Sequence, residues 1–139
     1  QGFSRAVADA GVESIVVDDA IRLPTFDAGR LLMEKLLEQS GSDLPTAVFA
    51  QNDSLAIGAM HLVFERGLRC PDDVSIVGYN DVPLTAHLAP ALTTVKLPAY
   101  EMGRLAAQLV ATLIEDPEQS AHTVTLAPEL IVRQSTRAV

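Results

Sequence analysis

The sequence has few of the residues that mark disulfide-bonded, membrane-spanning or nucleic-acid-binding chains. Its single cysteine excludes an internal disulfide and is typical of a reducing compartment, so we expect a cytoplasmic protein. No apolar run approaches the roughly 18 residues that span a bilayer, and no leader pattern is recognisable. Lys and Arg number 10 against 18 Asp and Glu, and the net charge of −8 disfavours a surface that neutralises phosphates. We therefore expect a globular domain that does not hold DNA by itself.

Motifs for metal binding, catalysis and phosphate binding are also missing. His61, His87 and His122 lack the spacing to Cys, His or carboxylate residues that a metal site needs, so we expect surface or interface roles. No G-x-S-x-G, G-x-x-x-x-G-K or G-x-G-x-x-G pattern occurs. The sequence therefore predicts a domain that is not an enzyme and carries no metal or cofactor.

The sequence does contain enough apolar residues to form a core. They make up 48% of its 139 residues and are arranged in alternating strand and helix patterns. Short apolar runs at 14–17, 46–51 and 74–78 predict strands, the latter two buried on both faces. Helices are predicted between them at 26–39 and 53–66, with N-caps at their starts and glycines at their ends. The alternation predicts right-handed βαβ units, an α/β fold with a parallel sheet and helices on both faces.

Weaker patterns occur towards the two ends. Phe3, Val7 and Ala10 have helical spacing before Gly11, and because no N-cap precedes them we expect the chain to begin inside a helix. Later elements are predicted as an extended run, a helix and two short strands that Pro128 interrupts, at residues 92–96, 100–114 and 123–133.

Polar residues follow each of the predicted strands in the first part of the chain. They are Asp18 and Asp19, then Gln51, Asn52 and Asp53, then Asn80 and Asp81. Ligands of open parallel sheets bind beyond the carboxyl ends of the strands, and these amides and carboxylates suit the vicinal hydroxyls of a sugar or polyol. Each residue has the alternative role of a helix cap or Asx turn, and Asp53 is the one most expected to be a cap only.

Four blocks of sequence resemble the lactose/galactose repressor (LacI/GalR) family of bacterial transcription regulators. They occur in the family's order and spacing: residues 47–60 (AVFAQNDSLAIGAM), 67–81 (GLRCPDDVSIVGYND), 90–95 (PALTTV) and 103–106 (GRLA). The resemblance implies a type I periplasmic-binding-protein-like fold in which residues 1–139 form part of an effector-binding and dimerisation domain. Residues 1–96 would belong mostly to the C-terminal lobe, and 97–139 would supply a crossover helix and returning strands.

The resemblance also implies which residues bind the effector, a small sugar-like molecule that controls operator binding. Asn52 and Asn80 are the implied contacts, with Gln51 and Asp81 beside them. Most members carry aspartate at the position of Asn80, so the amide here predicts a weaker or altered contact. Phe26 is a displaced candidate for the family's aromatic contact, and packing of the helix start is its alternative role.

The predicted helix at 53–66 has almost no polar face and therefore needs cover on two sides. The resemblance implies that one side packs on the sheet and the other on a second subunit of a homodimer, through Leu55, Ala59, Met60 and Val63. Burial under the C-terminal segment of the same chain is the alternative. Operator DNA would be bound only through an N-terminal headpiece, absent from this chain, and no membrane contact is expected.

Two other functions remain open from the sequence alone. A sugar-binding protein of an ABC transport system shares the fold and cleft, although the PDDVSIVGY and LTTV runs favour the regulator. A doubly wound α/β enzyme is disfavoured because the sequence shows neither a nucleophile–base pair nor a phosphate-binding loop.

Overall fold

The computed structural model describes residues 2–18, 23–116, 118, 120 and 122–138. The elements in chain order are α1 (Gly2–Ala10), α2 (Phe26–Ser40), β1 (Ala47–Phe49), α3 (Asp53–Glu65), β2 (Ser75–Asn80), a 3₁₀ helix (Pro83–His87), β3 (Thr93–Lys96), α4 (Ala99–Glu115) and β4 (Glu129–Ile131). Strands β1, β2 and β3 are parallel, and β4 pairs antiparallel with β3, in the sheet order β1-β2-β3-β4. This confirms the predicted α/β class.

Local side-chain signals set the ends of α2 and α3. Thr25 Oγ1 accepts a hydrogen bond from the backbone N–H three residues later, at 3.2 Å, so the predicted cap of α2 is confirmed. In α3 the cap is Asn52, whose Oδ1 accepts from the N–H of Leu55 at 2.8 Å. The prediction that Asp53 caps this helix is wrong by one residue. The predicted stops at Gly41 and Gly67 are confirmed, and both glycines have positive φ angles.

Two predicted strands do not form as expected. Residues 14–17 lie within the described part of the chain but form no strand, and Ile15 and Val16 are exposed. Residues 123–128 are also outside the sheet, and β4 is confined to Glu129–Ile131. A β-branched run becomes a strand only where a neighbour supplies hydrogen bonds, and nothing local in the sequence reports that neighbour.

Helices α2 and α3 contact each other through their backbones. A Cβ atom on Gly29 would lie 2.2 Å from the carbonyl oxygen of Leu55, and one on Gly58 would lie 2.0 Å from that of Phe26. Larger residues at these two glycines would push the helices apart. On the outer side, exposed ion pairs join the helices, Arg30–Glu65 at 2.9 Å and Arg66–Glu34 at 2.6 Å.

This helix pair buries the α3 residues predicted to form a dimer interface. Leu55, Ala59, Met60 and Val63 are only 9%, 4%, 4% and 0% exposed. A second subunit could reach them only if α2 moved away, so the structure corrects that assignment. Their cover comes from α2 and the sheet rather than from the C-terminal segment. They share one core with Ala28 and Met33 of α2 and with Val74, Ile76 and Leu92.

Candidate functional site

The carboxyl ends of the parallel strands bring two amide-bearing segments to one edge of the sheet. Gln51 and Asn52 follow β1, and Asn80 is the last residue of β2. Gln51 and Asn80 are exposed, and Asn52 is half-buried. Since Oδ1 of Asn52 is engaged as the cap of α3, its NH₂ group is the part suited to a ligand. The edge therefore offers neutral amide donors and acceptors.

Asp53, predicted to be only a cap, is instead a buried link between three elements. Its side chain is 1% exposed. One carboxylate oxygen, Oδ1, accepts from Thr94 Oγ1 of β3 at 2.6 Å, and Oδ2 accepts from the N–H of Val82 at 2.8 Å. Gly78 makes room for it, because a Cβ there would lie 2.4 Å from Oδ1. The sequence hint for this role is a threonine in a buried strand, which needs a hydrogen-bond partner.

The segment after β2 has an unusual backbone conformation and is held by an ion pair. Asn80 and Asp81 have φ angles of 112° and 57°, a region that asparagine and aspartate tolerate better than other non-glycine residues. Asp81 Oδ1 accepts from Arg133 Nη2 at 2.6 Å, and both side chains are mostly buried. Arg133 also donates to the carbonyl of Leu92 at 2.8 Å and to Thr85 Oγ1 at 3.1 Å. Asp81 is therefore already engaged within the fold. Arg133 was not predicted from the sequence to lie here.

The other predicted contact residues are not brought to this edge. The ring of Phe26 packs on His61 with centroids 5.2 Å apart. His61 lies about 13 Å along the helix axis from Asn52. Phe26 therefore packs the start of α2 against α3, which was its alternative role. Asp18 is exposed on the unpaired segment after α1, and Asp19 lies outside the described residues.

A different polar cluster lies at the opposite end of the sheet, just before β2, and its contacts stabilise the fold. Arg69 contacts both carboxylate oxygens of Asp73 at 2.7 and 2.9 Å, and these hydrogen bonds lower the pKa of Asp73 to about 2. Cys70 is buried beside the carbonyl of Ser135, and burial raises the pKa of its thiol to about 11. A neutral thiol of this kind is a poor nucleophile and metal ligand.

Histidines and acidic residues do not cluster in the part of the chain that is described. No group of three or more His, Cys, Asp or Glu side chains there could hold a metal ion. His61 pairs instead with Glu65 one turn later, at 3.4 Å, and His87 and His122 are exposed. Among the same residues, no helix has the length and apolar character needed to span a membrane.

Comparison with known proteins identifies the family. Residues 1–136 match the family described as the periplasmic binding protein-like domain. The chain is 41% identical over 112 residues to the probable HTH-type transcriptional repressor ExuR of Bacillus subtilis, covering 81% of this chain and 33% of that protein. It is 39% identical over 138 residues to the ribose operon repressor of Haemophilus influenzae, covering 97% and 40%. The chain thus spans about a third to two fifths of these curated relatives.

Solved structures of regulators have the same fold. A complex of the transcriptional regulator CelR with cellobiose superimposes with a TM-score of 0.85 at 32% identity, covering 97% of this chain and 41% of that one. A LacI family transcriptional regulator from Enterococcus faecium with bound ribose gives a TM-score of 0.82 at 29% identity, covering 97% and 49%. These relatives are repressors and regulators rather than enzymes. The chain therefore belongs to the periplasmic binding protein-like domain family, in the form found in the effector-binding domains of LacI-family transcription regulators.

Proposed function

We propose that this domain binds a small sugar-like effector at the carboxyl edge of its sheet and thereby controls a transcription regulator. The observation that carries the proposal is the amide-lined edge, where Gln51, Asn52 and Asn80 come from adjacent strands. Amide groups can both donate to and accept from sugar hydroxyls. Asp53 and Asp81 have partners within the fold, whereas Gln51 and Asn80 are exposed. Lys96, in register with Asn80, adds an exposed charge at the end of β3.

The bound sugars of two structural neighbours support this choice of ligand. One of them was solved with ribose and the other with cellobiose. The named relatives are repressors or regulators, which favours a regulator over a sugar-binding protein of a transport system. We infer no catalytic role for the domain.

Operator DNA, in this proposal, is bound outside this domain. The domain's net charge of −8 opposes binding to phosphates, and the chain spans only part of relatives named as helix-turn-helix repressors. We place the division between lobe and crossover near Lys96. Supporting this, the hydrophobic core of the described residues lies between Ala28 and Leu92, and α4 contributes no buried residue.

We propose further that the domain pairs with a second copy through the outward face of α3. The core residues of this helix are covered by α2 and the sheet, which leaves a more exposed stripe that a two-fold partner could contact. The stripe has helical spacing and consists of Ser54, Ile57, His61 and Phe64, of which Ile57 is half-buried and His61 also contacts Phe26 of α2.

The effector proposal is tested by calorimetry of the intact protein with ribose and cellobiose. Asn52→Asp keeps an acceptor for the helix cap but removes the NH₂ donors, so it separates ligand contact from capping. We expect Asn52→Asp and Asn80→Ala each to weaken binding by about 1–3 kcal/mol, since a partner of the sugar is lost. Gln39→Ala, which changes an exposed amide on α2, should leave affinity unchanged.

Two results would contradict the effector site. One is unchanged affinity in both Asn52→Asp and Asn80→Ala. The other is a wild-type protein that binds neither ribose nor cellobiose.

A further inference from the structure

One side chain directly joins the two segments that carry the candidate effector amides. Asp53 follows Asn52 in sequence, and its Oδ2 accepts from the backbone N–H of Val82, two residues beyond Asn80. Its Oδ1 accepts from Thr94 on β3. The start of α3, the segment after β2 and strand β3 are thus fixed to one another at a single carboxylate.

The surroundings of this carboxylate leave little room for rearrangement. Asp53 and Thr94 are 1% and 0% exposed. The absence of a side chain at Gly78 is required, because a Cβ there would overlap the carboxylate. Hydrogen bonds shielded from water in this way are stronger electrostatically and costly to leave unmade.

Separate contacts hold each amide within its own segment. Asn52 is held by its cap bond to Leu55, and the Asn80–Asp81 turn is held on its far side by Arg133. Between these two held segments, Asp53 supplies a side-chain bond from the start of α3 to the turn. The pairing of β1 with β2 sets the two strands side by side, and beyond the strand ends the spacing of the two amides depends on this residue.

We propose that Asp53 is a positioning residue of the effector site, which sets the separation of Asn52 and Asn80 without touching the ligand. The identity of the ligand rests on the proposed function. A sugar that uses both amides binds more tightly when their spacing is fixed beforehand, because no ordering cost is then incurred on binding. Neither Asp53 nor Thr94 needs to be exposed to have this effect.

The test uses the intact protein and four variants. Asp53→Ala removes both carboxylate acceptors, which Asp53→Asn would not, since an amide can still accept from Val82 and donate to Thr94; Thr94→Val removes the hydroxyl that bonds Oδ1. Thr94→Ser keeps a hydroxyl and serves as the conservative rescue. Asp73→Ala is the matched control, since it removes a hydrogen-bonded carboxylate at the opposite end of the sheet.

Two measurements are made on each variant. Hydrogen–deuterium exchange of the peptide that contains Val82 is followed without sugar, and affinity is measured by calorimetry with ribose and cellobiose. We expect Asp53→Ala to speed exchange at Val82 by about fivefold or more, the equivalent of a lost buried hydrogen bond. Asp53→Ala and Thr94→Val should weaken sugar binding by at least about fivefold, for the same reason. Thr94→Ser and Asp73→Ala should leave both quantities near wild type.

The outcomes separate this inference from the proposed function. Unchanged exchange at Val82 in Asp53→Ala would overturn the link itself. Faster exchange with unchanged affinity in Asp53→Ala and Thr94→Val would show a purely structural role and overturn the positioning role. If Asp53→Ala does not fold, Thr94→Val decides by its affinity. If the wild-type protein binds neither sugar, the proposed function fails, and exchange alone decides whether Asp53 holds the two segments.

Discussion

Polar residues at the edge of the sheet divide into those that hold the fold and those left to solvent. Asp53 and Asp81 are each engaged by donors from distant parts of the chain, whereas Gln51 and Asn80 are exposed. A ligand can bind the exposed amides without first breaking native hydrogen bonds. Polar residues that look equivalent in the sequence therefore differ in their capacity to bind a ligand, because that capacity depends on the burial and the hydrogen-bond partners of each side chain.

Asp73 gives a pH-dependent contribution to stability at the single-residue scale. Hydrogen bonds from Arg69 lower its pKa from the ordinary 3.8 to about 2. Because the pKa is lower in the folded state, the ionised Asp73 carboxylate adds to the free energy of unfolding. This addition is complete above about pH 4 and is lost as pH falls through about 2. We therefore expect the stability difference between wild type and Asp73→Asn to be constant above pH 5 and to narrow between pH 4 and 2, as measured by urea unfolding with circular dichroism.

Arg69→Gln is the companion variant for this experiment. It removes the donor instead of the carboxylate, so its stability difference from wild type should narrow over the same pH window. A difference from wild type that stays constant from pH 5 to pH 2 in both variants would contradict the role of this pair.

Among the elements, the helices and the three parallel strands followed from local signals, whereas the fate of the run at 14–17 and the buried hydrogen bonds did not. Thr25 and Gly41 determine where α2 begins and ends. Both act on residues only a few positions away, so the local sequence is sufficient to predict them. The run at 14–17 has strand composition but forms no strand, because pairing depends on a distant partner. The role of Asp53 was missed for the same reason, since its partner Thr94 lies 41 residues away.

The crossing of α2 and α3 depends on the absence of a side chain at Gly58. An alanine Cβ there would lie 2.0 Å from a backbone oxygen of Phe26, and backbone cannot rotate away as a side chain can. We expect Gly58→Ala to destabilise the protein by about 1–3 kcal/mol or more, as overpacking does. Thermal and urea unfolding would measure the change.

Gly103 provides the control for this substitution. It lies in the exposed helix α4, and a Cβ there would meet nothing within 4 Å. Gly103→Ala should therefore stabilise the protein slightly, by about 0.5–1 kcal/mol, because alanine favours the helix. Equal effects of the two substitutions would show that the close helix contact at Gly58 does not exist.

Over the whole molecule, burial is concentrated in the middle of the chain. The core is formed by α2, α3 and the residues of the sheet around them, whereas α1 and α4 contribute no buried residue. Apolar periodicity predicted both exposed helices correctly. It could not predict what covers an apolar face, because the pattern shows only that such a face exists. The same limit explains why the core residues of α3 were assigned to a dimer interface.

Two substitutions on α3 distinguish its core face from its proposed dimer face. Met60 is 4% exposed within the core, so Met60→Asp should unfold the protein, with loss of its helical circular dichroism, rather than yield folded monomers. Phe64 is 42% exposed on the outward stripe, so Phe64→Glu should keep the fold. A two-fold interface would place the two new charges near each other, and we expect the dissociation constant of the dimer to rise by about tenfold or more. Sedimentation velocity at micromolar concentration measures this. A wild-type protein that sediments as a monomer, or a folded Phe64→Glu variant that dimerises like wild type, would rule out this face as the dimer contact.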